Sequence, residues 1–152
     1  MTARRYDRTQ GDPKIIIEPD GSDLVFKGGQ PVMDSRLENA VLISLFSSPT
    51  WFGNTYMPQA AQVKSRFHEL SLKAITASRL AELEQAAKAD LAPLVAAGAI
   101  ADPSIRASNP SGERLDVEIR ISPPGADAIS ILLSKYGANW AVQTSNPASA
   151  RV

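Results

Sequence analysis

The sequence has no cysteine and a single histidine, His68, in 152 residues. Disulfide bonds and thiol chemistry are therefore excluded, and so is a metal site built from several histidines. The 16 basic and 16 acidic residues cancel, so the composition predicts no general attraction to nucleic acid or to an acidic membrane. The longest apolar run, residues 40–46, is interrupted by Ser44 and is far too short to span a bilayer.

The length predicts one domain, because a chain of about 150 residues buries roughly 70% of its unfolded surface without covalent staples. The two arginines near the N-terminus are not followed by an apolar segment, so we expect no signal peptide and a protein that is soluble in the cytosol at synthesis. We expect a flexible arm over residues 1–13, one domain over 14–140 and a flexible tail over 141–152.

Residues 76–98 carry the strongest helical pattern. Thr76 or Ser78 can cap the start, and Gly98 can end the helix because it enters the left-handed region easily. Pro93 lies opposite the apolar stripe, which predicts a bend and not a break. The stripe consists of apolar residues three or four apart: Leu80, Leu83, Ala87, Leu91 and Leu94.

A second helix is predicted over residues 36–46. Ser35 and Glu38 have the spacing of a capping box, in which each side chain accepts from the other residue's N–H. The apolar residues are spread around the whole circumference, which indicates burial on more than one side. Part of that cover could come from another chain.

The remaining elements are strands. Residues 14–18 and 23–27 predict a hairpin around the turn 19–22, and Gly28-Gly29 is interpreted as a loop. A weak strand over 104–107 and a turn over 109–112 precede 114–122, which alternates apolar and charged residues. Residues 128–133 supply the antiparallel partner, with Ile129, Ile131 and Leu133 inward, and Tyr136 and Trp140 complete the ordered part. The prediction is an α+β fold with an N-terminal β-hairpin, two main helices and a C-terminal antiparallel sheet packed on the long helix.

Residues 47–72 are irregular, with a helical turn expected near 59–69. Trp51, Phe52, Tyr56 and Met57 crowd one stretch among proline and glycine. Such a segment is either a flap over the domain's own core or a protein interface, and the sequence does not separate the two. Likewise, Arg4, Arg5, Arg8 and Tyr6 belong either to a loose arm or to one that orders against a partner.

The sequence offers little for catalysis. It contains no nucleophile elbow, phosphate-binding loop or paired-histidine motif. His68 and Glu69 are adjacent, and adjacent side chains on a helix point apart. The carboxylates that could form a glycosidase pair are better explained as turn formers: Asp7, Asp12, Glu18, Asp20 and Asp23. We expect no enzyme activity and no cofactor.

Several segments in a fixed order nevertheless resemble a known family. Asp23-Leu24 is followed by Leu-Glu-Asn-Ala-Val-Leu-Ile-Ser-Leu-Phe over 37–46, Ser65-Arg66-Phe67, Leu-Ala-Pro-Leu-Val-Ala-Ala-Gly-Ala over 91–99, and the final hairpin. This order resembles the small baseplate protein of Mu-like contractile-tailed phages and, more distantly, the wedge protein that initiates the sheath in T-even phages. The resemblance covers residues 23–140. The family's Gly-Ser-Arg-Leu segment stands here as Lys64-Ser65-Arg66-Phe67, and its Trp-Trp-Gly-Asp stretch as Trp51-Phe52-Gly53-Asn54, placed earlier.

The resemblance implies a structural subunit of the virion, assembled in the host cytoplasm and present in several copies around the tail axis. It would bind large wedge subunits, the sheath protein and possible tube or hub proteins, without nucleic acid or membrane. Arms of the first sheath ring would add as strands to an edge of its sheet. The interface residues expected are Arg4, Arg5, Tyr6, Trp51, Phe52, Tyr56, Arg66, Ile129, Ile131, Leu133, Tyr136 and Trp140. The alternatives are a wedge adaptor that never touches the sheath and a lysozyme-like cell-wall hydrolase.

Overall fold

An α+β architecture is formed by the residues that the computed structural model describes, namely 12–34, 37–50, 52–62, 64–125 and 127–145. It confirms the fold class predicted from the sequence. Six short strands pair as β1–β6, β2–β3 and β4–β5, three α-helices follow, and four strands form a C-terminal antiparallel sheet of order β10-β9-β8-β7. The strands are β1 (Asp12–Pro13), β2 (Ile15–Glu18), β3 (Gly21–Leu24), β4 (Phe26–Lys27), β5 (Gln30–Pro31), β6 (Met33–Asp34), β7 (Ser104–Ser111), β8 (Arg114–Ile121), β9 (Ile129–Tyr136) and β10 (Asn139–Ser145). The helices are α1 (Glu38–Phe46), α2 (Phe67–Ser71) and α3 (Ala77–Ala96).

The predicted N-terminal hairpin is present as β2 and β3, joined by the two residues Pro19 and Asp20. A second hairpin, β4–β5, turns at Gly28 and Gly29, where the sequence predicted only a loop. Their φ angles are 59° and 74°. Two successive positive φ angles are the requirement of the tight turn that best matches strand twist, and glycine meets it without steric cost.

Helix α1 ends at Phe46 as predicted, but it begins differently. Its N-cap is Leu37 in the left-handed region (φ 67°), with no side-chain capping bond, so the predicted capping box is wrong. The predicted partner Ser35 and the predicted first residue Arg36 lie outside the described residues. Val41, Leu42 and Leu45 are buried, whereas Ile43 is 48% exposed, so one apolar side of the helix is uncovered.

Helix α3 follows the prediction closely. The Thr76 hydroxyl accepts from the Arg79 N–H at 3.1 Å, so Thr76 is the N-cap. At the other end Gly98 has φ 74°, and the N–H groups of Gly98 and Ala99 donate to Val95 and Leu94. That pair of bonds is a Schellman motif, which satisfies carbonyls left over at the helix end.

The sheet confirms the alternation of β8, whose Leu115, Val117, Ile119 and Ile121 are buried. Two predictions about neighbouring strands are wrong. The stretch predicted as a turn at 109–112 lies mostly within β7, because a register shift between Ser108 and Ser111 absorbs it, and the chain turns at Gly112 and Glu113. The tail predicted from residue 141 begins too early, since β10 pairs with β9 through to Ser145.

The core lies between the inner face of this sheet and the helices α1 and α3. Leu83, Ala87 and Leu91 of the predicted stripe are fully buried, and Leu80 and Leu94 flank them half-buried. Aromatic rings close one end, where the Trp140 centroid lies 5.2 Å from that of Phe46 and 5.9 Å from that of Phe67. The Phe46–Trp140 contact is edge-to-face, a geometry that adds to the stabilisation from burial alone.

The short helix α2 is held at both ends by charged side chains from other elements. At its start, the Asp90 carboxylate on α3 accepts from the N–H groups of Arg66 and Phe67 at 2.9–3.1 Å. At its end, Lys135 on β9 donates to the Ser71 carbonyl. A negative charge at the N-terminus and a positive charge at the C-terminus both favour the helix dipole. A five-residue helix is unstable alone, so these contacts with packing fix its position.

Candidate protein interface

The four-stranded sheet has two edge strands, β7 and β10. In an antiparallel pair, alternate residues direct their N–H and C=O groups to the partner strand and the others direct them away. Tyr136 and Asn139 flank the two-residue turn between β9 and β10, which makes them a hydrogen-bonded pair. It follows that Trp140, Val142 and Thr144 direct their backbone groups away from β9.

The β7 edge is partly closed. The N–H of Ala107 points away from β8 and donates to Glu84 Oε1 of α3 at 2.9 Å. Farther along, the register shift between Ser108 and Ser111 spans Pro110, which has no N–H to offer. Bulges, prolines and charged side chains are the usual means by which natural edge strands avoid pairing with another chain. The β7 edge is therefore the protected one.

The β10 edge is flanked but not paired. Within the part of the chain that the structure describes, the backbone groups of Trp140, Val142 and Thr144 have no hydrogen-bond partner. Strand β2 lies beside β10, with Cα atoms of the two strands within 8 Å, but it belongs to a separate sheet. This edge therefore retains its pairing capacity, with a segment of the same chain alongside it.

Glu38 connects the N-terminal segment to β10. It lies in the first turn of α1, and its side chain is only 6% exposed. Its Oε2 atom accepts from the Thr144 hydroxyl at 3.3 Å and lies 3.7 Å from Lys14 Nζ. The carboxylate thus bridges a residue just before β2 and a residue on β10, and the two partners compensate part of the cost of its burial.

Asn39 attaches the start of β2 to α1. Its side-chain oxygen accepts from the Ile15 N–H at 3.2 Å, and its side-chain nitrogen donates to the Pro13 carbonyl. An asparagine amide that bonds both ways reproduces the pairing of a neighbouring strand. This buried amide attaches the start of the hairpin to α1, and the Lys14 N–H attaches it to the next segment by donating to the Val32 carbonyl.

A second exposed region is the 3₁₀-helix Phe52–Tyr56. Phe52 and Tyr56 are 75% and 85% exposed, and the following Met57 is 43% exposed. Side chains that are this exposed do not cover the core. Of the two interpretations of this segment, a flap over the core and a protein interface, the flap therefore does not apply to Phe52 and Tyr56. Such residues are enriched at the centres of protein interfaces.

The backbone behind these aromatic residues is held in place. The buried Asn54 donates to the Pro49 carbonyl at 3.1 Å, and the Gln62 side chain donates to the Asn54 carbonyl at 3.0 Å. The adjoining segment is anchored as the Ser65 N–H donates to the Ser47 carbonyl. Exposed side chains on an anchored backbone lose less entropy when they bind a partner.

Two further predicted interface residues are accessible. Arg66 is exposed, while its backbone N–H is bonded to Asp90. Tyr136 is 47% exposed, and its ring lies 5.3 Å from the guanidinium of Arg114. A hydrogen bond to Asp116 raises the pKa of Arg114 further above its usual value, so the cation facing this ring stays charged.

The side chains of four predicted interface residues are instead part of the core, and of the four only Trp140 has outward backbone groups at a sheet edge. Ile129, Ile131 and Leu133 are at most 1% exposed, and Trp140 is 8% exposed. The first three lie on β9, which is paired on both sides. Their side chains fill the space above α3, so neither the side chains nor the β9 backbone is available to another protein. The signal that misled was apolar alternation, which describes a core face as well as an interface.

The remaining predicted interface residues, Arg4, Arg5, Tyr6 and Trp51, lie outside the described residues. Of the catalytic candidates, His68 packs against the Phe46 ring, with centroids 5.7 Å apart. In the described ranges, no group of three or more histidine, aspartate or glutamate side chains is arranged to hold a metal ion. No helix in those ranges is long and apolar enough to cross a membrane.

Sequence reasoning missed the polar residues that organise this surface, namely Glu38, Asn39, Glu84 and Asp90. Glu84 and Asp90 occupy α3 positions adjacent to the buried stripe. Their proximity to the stripe could have identified them as polar residues that contact other elements. Glu38 and Asn39 open an otherwise apolar helix, which is typical of polar residues recruited by another segment. The identity of that segment cannot be read from local sequence.

The comparisons with known proteins give no family for the chain: no family model, no curated protein and no solved structure matches it. The function is therefore argued from the residues and the geometry above.

Proposed function

We propose that this protein is a structural subunit of a contractile phage tail baseplate, which binds wedge subunits and nucleates the sheath by strand addition. The observation that carries the proposal is the unpaired outer edge of β10. The resemblance of residues 37–46 and of the following segments supplies the class of assembly. Strand addition suits a chain without recognisable catalytic motifs, because backbone pairing needs no special side chains.

The β10 edge offers enough backbone hydrogen bonds to contribute to the binding of a partner. Trp140, Val142 and Thr144 each offer one N–H and one C=O, so an added strand can form up to six backbone hydrogen bonds. At about 0.5–1.5 kcal/mol net for each bond, the gross gain is about 3–9 kcal/mol, before the cost of ordering the partner segment. A single contact of this strength is weak. Several copies around a tail axis would convert it into stable binding through effective concentration.

A wedge adaptor without sheath contact is the second candidate. It is favoured by the exposed Phe52 and Tyr56 on their anchored backbone, which suit a protein partner other than an added strand. The two roles are compatible in one molecule, because the 3₁₀-helix and β10 are different parts of the surface. They are distinguished by whether loss of the protein removes the whole baseplate or only the sheath.

The proposal is tested by removing the gene from the phage that encodes it and imaging the particles by electron microscopy. We expect baseplates with tail tubes that lack a sheath, restored when the wild-type protein is supplied from a plasmid. Absence of baseplates altogether would favour the adaptor. Tails with a normal sheath would reject both roles. Clearing of peptidoglycan by the purified protein would instead revive the hydrolase alternative.

A further inference from the structure

The β2–β3 hairpin lies close to β10, the strand whose outer edge is unpaired. Neighbouring strands in a sheet are about 4.8 Å apart, so a strand inserted between two others requires them to be about 9.6 Å apart. The Cα atoms of β2 and β10 approach within 8 Å. The two strands are therefore too close together at these positions for a further strand to lie between them.

The described contacts between the hairpin and the rest of the fold are few. The described side chains of β2 are half-buried at most, and Leu24 of β3 is 40% exposed. Ile17 packs against the core, and the Asn39 side chain and the Lys14–Glu38 pair at 3.7 Å attach the segment to α1. At the base of the hairpin, the Lys14 N–H also donates to the Val32 carbonyl. No backbone hydrogen bond joins the hairpin to β10 among the described residues.

We propose that the β2–β3 hairpin is a displaceable cover of the β10 edge. In the separate subunit it keeps two copies from pairing edge to edge. During assembly, it moves aside when an extended segment of a partner protein pairs with β10. The identity of that partner rests on the proposed function, whereas the cover itself is a property of the isolated chain.

Glu38 gives the cover a defined point of release. Its carboxylate holds Lys14, next to β2, and Thr144, on β10, at the same oxygen atom. Lys14 is 33% exposed and can exchange its partner for water as the hairpin leaves. Glu38 then keeps its bond to Thr144, so the edge strand remains in place while its cover moves.

Self-association measured by sedimentation velocity tests the cover, with a second copy of the chain as the probe strand. Asn39→Ala removes the bond from Ile15 of β2 and the bond to Pro13 of β1, both of which attach this segment to α1. We expect its dimer dissociation constant to be about tenfold lower than that of the wild type, the shift expected from the two lost hydrogen bonds. Ser65→Ala is the matched control, because it also removes a buried polar side chain that bonds backbone, away from the hairpin. It should leave self-association unchanged.

A double variant shows whether the association uses β10. Val142→Pro removes an outward N–H, so Asn39→Ala/Val142→Pro should lose the gain in affinity and have a dissociation constant at least as high as that of the wild type. If circular dichroism shows that Asn39→Ala does not fold, Lys14→Ala replaces it as the test variant. Its dimer dissociation constant should be about twofold to fivefold lower than that of the wild type. Unchanged association in the folded variant used would overturn the proposal, as would association that survives Val142→Pro.

The cover and the proposed function can fail separately. If Asn39→Ala subunits associate with one another and the phage that carries them assembles no sheath, the result agrees with both the cover and the proposed function. Association of the purified variant together with normal sheath assembly on Val142→Pro particles would keep the cover and contradict strand addition as the function.

Discussion

Proline at Val142 is the perturbation that most selectively blocks the β10 edge. The Val142 N–H points away from β9, so Val142→Pro leaves the β9–β10 hydrogen bonds in place. It removes one donor from any added strand, worth about 0.5–1.5 kcal/mol, and leaves a carbonyl of that strand unsatisfied at a cost of about 1–3 kcal/mol. The sum of about 1.5–4.5 kcal/mol corresponds to a decrease in affinity of roughly 10-fold to 1,600-fold.

Ile105→Pro is the matched control for this variant. Ile105 has the equivalent outward position on the opposite edge strand, β7, and like Val142 it is half-buried against the core. Both variants are first checked by urea unfolding to establish that they fold. The assay is binding of the sheath protein to purified subunit, followed by electron microscopy of particles that carry each variant. We expect loss of binding and of sheath with Val142→Pro only. Full binding of the sheath protein by folded Val142→Pro would refute β10 as the pairing edge. Loss of binding with Ile105→Pro alone would indicate that β7 is the pairing edge.

Three further predictions concern the core and the residues around the candidate interface. Asp90→Ala should lower the free energy of unfolding by about 1–3 kcal/mol, because backbone N–H groups at the start of α2 lose their acceptor. Burial raises the pKa of Asp90 above 3.8, so the ionised carboxylate is disfavoured in the folded state. The stabilising contribution of Asp90 relative to alanine should therefore be largest below the unfolded pKa and decrease as pH rises through the folded pKa. Urea titrations in which the wild type gains stability over Asp90→Ala as the pH rises would contradict this. Trp140→Ala should cost about 3–5 kcal/mol, whereas Phe52→Ala should change stability by less than about 0.5 kcal/mol; equal costs would mean that Trp140 is not a core residue. Glu84→Ala should increase self-association by exposing the Ala107 N–H, and Glu84→Gln, which retains an acceptor, should not; identical sedimentation of the two would argue against Glu84 as edge protection.

The periodic elements could be predicted from sequence because local chemistry decides them. The α3 stripe, the Thr76 cap and the Gly98 terminus each depend on residues within one or two turns. The same holds for the alternation of β8. These elements also agree with the way they pack, which is why local preference and tertiary structure give the same answer.

The errors arise where a distant segment decides the outcome. Residues 141–145 are small and polar and resemble a tail, but β9 offers them a pairing edge, and β10 extends to Ser145. The stretch around Pro110 resembles a turn, yet an edge strand can contain proline at a bulge. The true start of α1 depends on Glu38 and Asn39 being held by the N-terminal segment and β10, contacts made with residues up to 106 positions away.

The candidate interface was only partly predictable for the same reason. Exposed aromatic residues such as Phe52 and Tyr56 can be proposed from composition, but Ile129 and Ile131 have the same apolar character and are buried. Availability of a backbone edge depends on strand order, on Glu84 and on the position of β2. None of these is encoded within the strand that carries the edge.

An image of the assembled baseplate at side-chain resolution tests the central claim most directly. The account predicts that the N–H and C=O groups of Trp140, Val142 and Thr144 pair with an extended segment from another protein, with the β2–β3 hairpin displaced. A β10 edge that faces solvent, or that is paired only with segments of its own chain in the mature particle, would contradict it.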